Sequence, residues 1–311
     1  GHWVWELERS APSVSALADR AIALGIRTLY VKSGDGANYW RQFDRAVGPL
    51  RARGLRVCAW QFVYGRRPEA EAAVAARAVR AGADCFVVDA EGEFEKGRWA
   101  QARRYMQALR SAVGLSYPIG LTSFAYVDLH RAFPYSAFLA PPFGAQFTMP
   151  QVYWKAFGER VQRAMDRTYM WNRIYGVAIA PIGGTYLGES PSDILRFRCA
   201  AQAAGSEGVS YWDWQQTRAA QWPVLASPLT CTNQRATATG SRYPPIGVGS
   251  RGDPVTWLQM RLRAWGRSVA VDGRLAAATM GAVQAFRRAK GIPASPRLDD
   301  RTWAALIENP A

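Results

Sequence analysis

The first 226 residues contain eight short runs of β-forming residues that alternate with stretches of helix-forming residues. Such alternation predicts parallel strands connected by crossover helices. Eight of these units in about 225 residues favour a closed (β/α)8 barrel over an open sheet. The predicted strands are His2–Trp5, Thr28–Lys32, Arg56–Val63, Cys85–Asp89, Ile119–Ser123, Phe147–Tyr153, Tyr175–Pro181 and Gly208–Trp214.

The helical stretches between the strands are amphipathic, as in Val14–Leu24, Glu69–Ala81 and Trp99–Val113. Residues 227–245 are polar, rich in threonine and bounded by prolines, which predicts a linker. Three further helical patterns follow, at Pro254–Trp265, Ala277–Lys290 and Asp300–Ile307. We therefore expect an α/β chain in which a TIM-like barrel at 1–226 precedes a small all-α domain of three helices at 246–311.

The chain carries a formal net charge of +15. An excess of this size implies a polyanionic partner, and nucleic acid, anionic lipid and the bacterial cell wall all qualify. The basic residues are scattered and mostly arginine, without the long Lys/Arg block that marks a nucleic-acid tail. The pattern therefore favours anionic cell-wall polymers and predicts no nucleic-acid partner. No stretch approaches the ~20 apolar residues of a membrane span, so none is predicted.

The N-terminal segment GHWVWELERS lacks the charged region and long apolar run of a signal peptide. We expect an extracellular or wall-associated protein, present either as a mature secreted form or after release by another route. Release in the manner of a phage lysin is one such route.

Four cysteines are present, and none of them forms a CxxC motif. Cys58 and Cys85 lie in apolar strand-like runs, which predicts buried thiols, whereas Cys199 and Cys231 are candidates for a disulfide that holds the linker to the large domain. With only two histidines, no zinc cluster can be assembled from this sequence. We expect neither a metal site nor a cofactor.

The fourth predicted strand ends at Asp89, and Ala90 and Glu91 follow directly. If the strand continues through these residues, both carboxylates point to the same face, with backbone origins about 6.6 Å apart. Two carboxyl groups at the C-terminal end of a barrel strand are the groups that glycoside hydrolysis uses. The alternative is a strand end that simply becomes polar where it meets solvent.

Other acidic, amide and aromatic residues lie at or beyond further strand ends, where such barrels place functional groups. Asp213, on the eighth strand, is a third candidate catalytic acid. The 13 tryptophans of the chain favour a cleft in which sugars stack on aromatic faces, although core packing is the alternative for any single ring. The candidates for substrate binding are Asp35, Trp60, Tyr64, Gln151, Tyr153, Trp154, Tyr186, Trp212 and Trp214.

The C-terminal segment resembles the type 1 peptidoglycan-binding domain, a small three-helix module that anchors proteins to the cell wall. The matching elements, spread over all three helices, are Gly249, Gly252, Leu258-Gln259, Gly266, Val271-Asp272-Gly273, Thr279, Ala282-Val283, Phe286, Gly291, Thr302-Trp303 and Leu306. The sequence departs from that pattern at Leu275-Ala276, at Arg287 and at Asp299-Asp300. These departures bear on ligand affinity more than on the fold.

The barrel segment resembles the lysozyme-like glycoside hydrolase family 25 and its relatives. The shared motifs are TLYVKSGDGANYW in the second unit, AWQFVY followed by Pro68 in the third, FVVDAE in the fourth and YWDWQ at the end. One departure is serious, because the first strand of that family carries an active-site Asp and here reads His2-Trp3-Val4-Trp5. The nearest acid is Glu6.

The resemblance implies a muramidase-like peptidoglycan hydrolase anchored to the wall by its C-terminal domain. Glu91 is then the general acid that protonates the glycosidic oxygen, and Asp89 raises the pKa of Glu91 and serves as stabilising charge, N-acetyl-orienting group or base. Asp213 assists across the barrel mouth. The missing first-strand Asp supports an alternative, a barrel that binds wall glycan without cutting it. The sequence leaves retention and inversion open.

Overall fold

Eight strand positions close into a parallel barrel in the computed structural model, which describes residues 1–231 and 242–308. The strands are β1 His2–Val4, β2 Thr28–Asp35, β3 Asn38–Tyr39, β4 Arg56–Val63, β5 Cys85–Ala90, β6 Ile119–Phe124, β7 Phe147–Val152, β8 Ala178–Ile179, β9 Ile182–Gly184 and β10 Ser210–Trp212. β8 and β9 share the seventh position, and β10 pairs with β1 to close the circle. β3 lies outside it as an antiparallel partner of β2. The predicted barrel is confirmed.

The seventh strand position differs from its prediction. In place of a strand over Tyr175–Pro181, a 3-10 turn at Arg173–Tyr175 precedes β8 and β9, which both pair with β7. Pro181 lies between the two short strands, and it interrupts the ladder because proline has no N–H to donate. The strand position therefore extends to Gly184, which brings Tyr186 to the loop just beyond it.

Helices cover the outside of the barrel. The three amphipathic stretches predicted from sequence form helices with ends within one residue of the prediction. The helices are α1 Leu7–Ser10, α2 Val14–Ala23, α3 Gln42–Ala52, α4 Pro68–Arg80, α5 Trp99–Val113, α6 Tyr135–Leu139, α7 Val161–Asn172, α8 Pro191–Ala203 and α9 Trp222–Ala226. The connection between β6 and β7 is unusual because α6 has only 5 residues and covers little of the sheet.

Three helices form the C-terminal unit: α10 Asp253–Ala264, α11 Ala277–Ala289 and α12 Asp300–Ile307. Their apolar faces meet around Leu258, Val283 and Trp303, all fully buried. Arg287, one of the departures from the family pattern, is buried and donates to the Thr302 hydroxyl at 2.8 Å and to the carbonyls of Ser295 and Arg297. That side chain therefore connects α11 to the following loop and to α12.

The C-terminal unit packs directly on the barrel beside the short helix α6. The buried Asp253 carboxylate at the start of α10 accepts hydrogen bonds from the Ser136 backbone N–H at 2.9 Å, the Ser136 hydroxyl and the Tyr175 hydroxyl at 2.8 Å. Farther along α10, the Trp257 indole N–H donates to the Ile174 carbonyl. The two parts are thus joined by a specific interface as well as by the predicted linker, of which residues 232–241 lie outside the described residues.

Both cysteine pairs are bonded. Cys58 and Cys85 form a disulfide, so the prediction of buried thiols was wrong. They face each other in the register of β4 and β5, which places their Cα atoms 4.5 Å apart, and the strand pattern alone does not reveal that register. The predicted pair Cys199–Cys231 is also bonded and ties α8 to the segment that follows the barrel. No helix among the described residues is long and apolar enough to cross a membrane.

Candidate active site

Asp89 and Glu91 meet at the C-terminal end of β5. The Gln151 amide at the end of β7 donates to Glu91 Oε1 at 2.8 Å and to Asp89 Oδ1 at 3.4 Å. One side-chain nitrogen thus contacts both carboxylates, across strands that are two positions apart in the barrel. Asp89 is 6% exposed, whereas Glu91 is only partly buried. Glu91 is therefore the member of the pair that a ligand in the mouth reaches first.

Burial raises the pKa of both carboxyl groups. For Asp89 the rise is large; the neighbouring charges of Glu91, Asp35 and Glu93 add to it, and the positive charge of Lys32 opposes it. For Glu91 burial is again the main cause and the charge of Glu93 adds to it, while the hydrogen bond from Gln151 opposes it. Each of the two carboxyl groups therefore holds its proton at a higher pH than an isolated carboxyl does.

A second polar group lies at the neighbouring end of β2 and β4. Lys32 Nζ is 2.6 Å from Asp35 Oδ2, and the Tyr64 hydroxyl donates to Asp35 Oδ1 at 2.8 Å. Lys32 is 5% exposed, and its ammonium lies 4.3 Å from the ring centroid of Trp40 and 5.0 Å from that of Trp60. Such cation–π contacts help to hold a desolvated ammonium in place. The buried Lys32 was not among the predicted site residues. A lysine inside an apolar strand is the sequence feature that could have indicated it.

Four predicted substrate-binding aromatics line the mouth with partly exposed rings: Tyr64, Tyr153, Tyr186 and Trp212. Tyr153 and Tyr186 meet edge to face at 5.4 Å. Burial, and then the charges of Asp89 and Glu91, raise the pKa of Tyr153 well above its usual value, so its hydroxyl remains a hydrogen-bond donor beside the carboxylate pair. The partly exposed Trp5 lies 6.1 Å from Trp212 and extends the same aromatic rim.

Three other predicted aromatics belong to the core instead, since Trp60, Trp154 and Trp214 are at most 3% exposed. Trp60 packs inside the barrel against Trp3, Trp154 stacks on Phe197 at 5.2 Å, and Trp214 contacts Trp222 at 4.9 Å. None of the three offers a face to a sugar in this structure. The prediction that they form part of a glycan platform was therefore wrong. Strand-end position alone does not distinguish an inward ring from an exposed one.

Asp213 is also placed differently from its prediction. It is fully buried, and its Oδ1 accepts the Gln216 backbone N–H at 3.2 Å at the start of the 3-10 turn Trp214–Gln216. Burial raises its pKa to about 6. Asp213 caps this turn and makes no hydrogen bond to Asp89 or Glu91, although its charge contributes to the raised pKa of Tyr153 at the mouth.

The first strand supplies no carboxylate to the mouth. Beyond β1, the Glu6 side chain turns to the exposed Arg9, 3.4 Å away, and its backbone N–H donates to Gln215. Asp35 on β2 is instead the third acid whose charge acts on Asp89. The acidic residues of this site therefore come from β2 and from the end of β5.

A cavity of about 290 Å³ adjoins the carboxylate pair and shares Gln151 and Tyr153 with it. Aromatic side chains from the segments after β6 and β7 form most of its wall, including Phe124, Tyr126 and Phe157. On one side His130 stacks on Phe124 and contacts Glu95 Oε1 at 3.1 Å. The pair thus opens into a largely apolar recess, and a polymer bound there would contact both.

Comparisons with known proteins agree with this division of the chain. Residues 251–306 match a family model described as "Putative peptidoglycan binding domain", which confirms the prediction for the C-terminal segment. No curated protein sequence matches the chain.

Three solved structures illustrate the fold similarity. The C-terminal domain of a putative chitinase from Desulfitobacterium hafniense is 8% identical, with TM-score 0.53 over 72% of this chain and 97% of that one. The Bacillus cereus spore cortex-lytic enzyme SleL is 12% identical, with TM-score 0.52 over 75% of each chain. QR15, an aldolase, is 13% identical, with TM-score 0.46 over 70% of this chain and 90% of that one. At these identities the likeness to the first two structures concerns the barrel fold alone.

Proposed function

We propose that this protein is a peptidoglycan hydrolase that cleaves wall glycan at the barrel mouth, as a muramidase does. The observation that carries the proposal is the Asp89–Glu91 pair, held by one amide at the mouth of a barrel whose chain ends in a peptidoglycan-binding unit. The motifs shared with glycoside hydrolase family 25 and the fold similarity to SleL support it. Secretion or phage-type release to the wall is part of the same proposal.

In this mechanism Glu91 is the general acid. It is the more accessible member of the pair, and burial raises its pKa, which favours the protonated form that a general acid needs. Donation of that proton to the glycosidic oxygen allows the bond to the anomeric carbon to break.

Asp89 supplies negative charge beneath the reacting centre. Its deep position suits stabilisation of the positive charge that develops on the sugar once Asp89 ionises. Burial and the charge of Glu91 oppose that ionisation, and the charge of Lys32 favours it. Lys32 is itself held by Asp35 and by the surrounding indole rings. Tyr153 adds a neutral donor beside both carboxylates.

The partly exposed aromatics form the glycan platform of this proposal. Tyr64, Tyr153, Tyr186 and Trp212 border the mouth, where their faces are available to sugar rings. The scattered positive charge of the surface favours encounter with an anionic wall.

The direct test is hydrolysis of purified peptidoglycan by wild type and by Glu91→Gln, followed as released reducing sugar. We expect the variant to lose activity by about 10²–10⁴-fold, the usual contribution of a general acid. Glu207→Gln, at an exposed position far from the mouth, is the matched control and should behave as wild type. Equal lysis by Glu91→Gln and wild type would refute the assignment of Glu91.

A non-catalytic glycan-binding barrel is the second candidate. The observation that favours it is the first strand, which presents no acid to the mouth. Wall binding with no reducing sugar released by the wild type would establish this alternative. Mass spectrometry of the products distinguishes both candidate functions from cleavage of the wall peptides, which would leave the glycan intact.

A further inference from the structure

A cavity of about 300 Å³, open to solvent, lies at the interface between the barrel and the C-terminal unit. The barrel contributes Trp99, Arg131 and Pro134, and the C-terminal unit contributes Arg251, Gly273 and Arg274. We call this space the seam cavity. It exists only because the two parts are docked, so neither part contains it alone.

Three arginines line the seam cavity, together with Asp253 and Asp272. Arg251 and Arg274 are bridge partners across a short antiparallel contact. Arg131 adjoins them, because its carbonyl accepts the Asp253 N–H at 2.8 Å and lies 2.5 Å from where a side chain at Gly252 would begin. Only glycine permits that approach, and the φ of +97° at Gly252 favours glycine as well.

Within residues 1–231 and 242–308, the three exposed arginines form no ion pair within 4.0 Å. The Asp272 carboxylate nevertheless attracts Arg274, and the Arg131 Nε donates to the Asp128 carbonyl at 2.9 Å. The nearby Asp272 carboxylate already accepts from the Gln259 amide at 2.7 Å and from the Arg274 backbone N–H. The three arginines of the cavity outnumber its two aspartates, Asp253 and Asp272, so an oxyanion can neutralise the remaining positive charge while accepting paired N–H bonds.

The seam cavity lies on the same side of the barrel as the carboxylate pair. Trp99 ends the loop that begins at Glu91, and Arg131 follows His130, whose ring contacts Glu95 in that loop. The loops after β5 and β6 therefore border both sites.

We propose that the seam cavity binds the carboxylate end of a short wall peptide while the glycan of the same strand occupies the barrel mouth. The three arginines bind the carboxylate, and small apolar side chains of the peptide pack against Ala132, Pro134 and the Trp99 ring. A phosphate polymer would use the charges but not this apolar wall. The inference rests on the proposed function, which identifies the wall as the source of the peptide.

The test measures binding by calorimetry, with the full chain carrying Glu91→Gln so that turnover plays no part. The probe is an N-acetylated tripeptide that ends in D-alanyl-D-alanine, compared with its C-terminal amide. A hydrogen-bonded charged group contributes about 1.5–3 kcal/mol, so we expect the free acid to bind about tenfold tighter or more. Equal affinity for the acid and the amide would overturn the proposal.

Added Arg131→Gln and Arg274→Gln substitutions test whether both parts of the molecule contribute. Each should weaken binding of the free acid about tenfold by the same reasoning, with an unchanged melting temperature. Arg288→Gln, at an exposed position on α11, is the control and should bind as before. If Arg131→Gln has no effect, the site belongs to the C-terminal unit alone and the composite site is refuted.

A glycerol phosphate oligomer completes the test. Displacement of the peptide by this oligomer at lower concentration than by the free-acid tripeptide would assign the cavity to phosphate polymers and overturn the peptide proposal. The results distinguish failure of the seam-site proposal from failure of the proposed function. Normal glycan hydrolysis without peptide binding rejects only the seam site, whereas peptide binding without hydrolysis rejects only the proposed enzyme.

Discussion

Asp89 at the barrel mouth and Asp253 at the interface between the two parts are both buried carboxyl groups whose pKa is raised by burial. Their surroundings differ. Asp253 receives three hydrogen bonds, from Ser136 and Tyr175, which satisfy its oxygens within the protein. Asp89 shares a single long hydrogen bond from Gln151 with a second acid and adjoins an open cavity. A raised pKa therefore indicates burial in both places, and the difference lies in the surroundings: the Asp89–Glu91 pair adjoins an open cavity, whereas Asp253 is held inside the interface.

The largest expected difference between the two acids is in activity. Asp89→Asn should lower peptidoglycan hydrolysis by about 10²–10⁴-fold, because it removes charge from the reacting centre. Asp253→Asn should change the rate per folded molecule by less than about twofold, since Asp253 has no contact with the mouth. Reducing-sugar release, normalised to folded protein by circular dichroism, makes the comparison. A large loss in Asp253→Asn alone would reverse the roles assigned here.

The second difference is in stability. Asp253→Ala removes an acceptor from three buried donors, each of which costs about 1–3 kcal/mol when left without a partner. We expect the free energy of unfolding to fall by about 3 kcal/mol or more in urea titrations. Asp89→Ala should lower it by less, because Asp89 has one weak hydrogen bond to lose. A larger loss for Asp89→Ala would contradict this ranking.

A third difference concerns pH. The folded-state pKa of Asp253 is raised from 3.8 to about 6, so the folded protein binds this proton more tightly than the unfolded chain does. The free energy of unfolding should therefore be highest below pH 4 for this group and fall as pH rises to about 6, by up to about 3 kcal/mol. Asp213, also raised to about 6, adds a fall of the same sign.

Urea titrations between pH 4 and 7 measure this fall. Asp253→Asn should flatten the slope by the contribution of Asp253, and Asp213→Asn should flatten it separately. An unchanged slope in both variants would show that neither acid takes up a proton on folding in this range.

The smallest expected effect is a shift of the pH–rate profile. Lys32 lowers the pKa of Asp89, so Lys32→Met should raise it and move the acidic limb of the profile to higher pH, by on the order of one unit. Arg80→Met, an exposed cation on the outer helix α4, is the control for general charge effects. A rate that falls equally at every pH, with the acidic limb unmoved, would indicate that Lys32 stabilises the structure and does not lower the pKa of Asp89.

Much of the fold was predictable because it depends on local patterns. The alternating apolar runs and amphipathic stretches predicted seven of the eight strand positions closely. The exception is the position that β8 and β9 share, where Pro181 splits the strand. The Asp89-Ala90-Glu91 spacing correctly placed two acids together at a strand end. The three-helix pattern of the C-terminal unit was equally visible, since it follows from the spacing of apolar residues.

The composition of the site was less predictable, because it depends on which way each side chain turns. Tyr153 and Trp154 are adjacent and were both predicted to bind substrate, yet one borders the mouth and the other packs on Phe197. Asp213 has the residue type of a catalytic acid and the position of a turn cap. Lys32 was missed because a single lysine in a strand does not reveal the indoles that surround it.

The sequence by itself determined that the chain alternates strands and helices, that an acidic pair ends the fourth strand, and that a wall-binding pattern follows. These properties depend on the spacing of residues two to four positions apart along the chain. Only the tertiary structure decided that Gln151 reaches both acids, that Cys58 faces Cys85, and that Asp253 fixes the C-terminal unit against α6. Such contacts join residues far apart in the chain, and they depend on strand register and packing between elements, which no local pattern encodes.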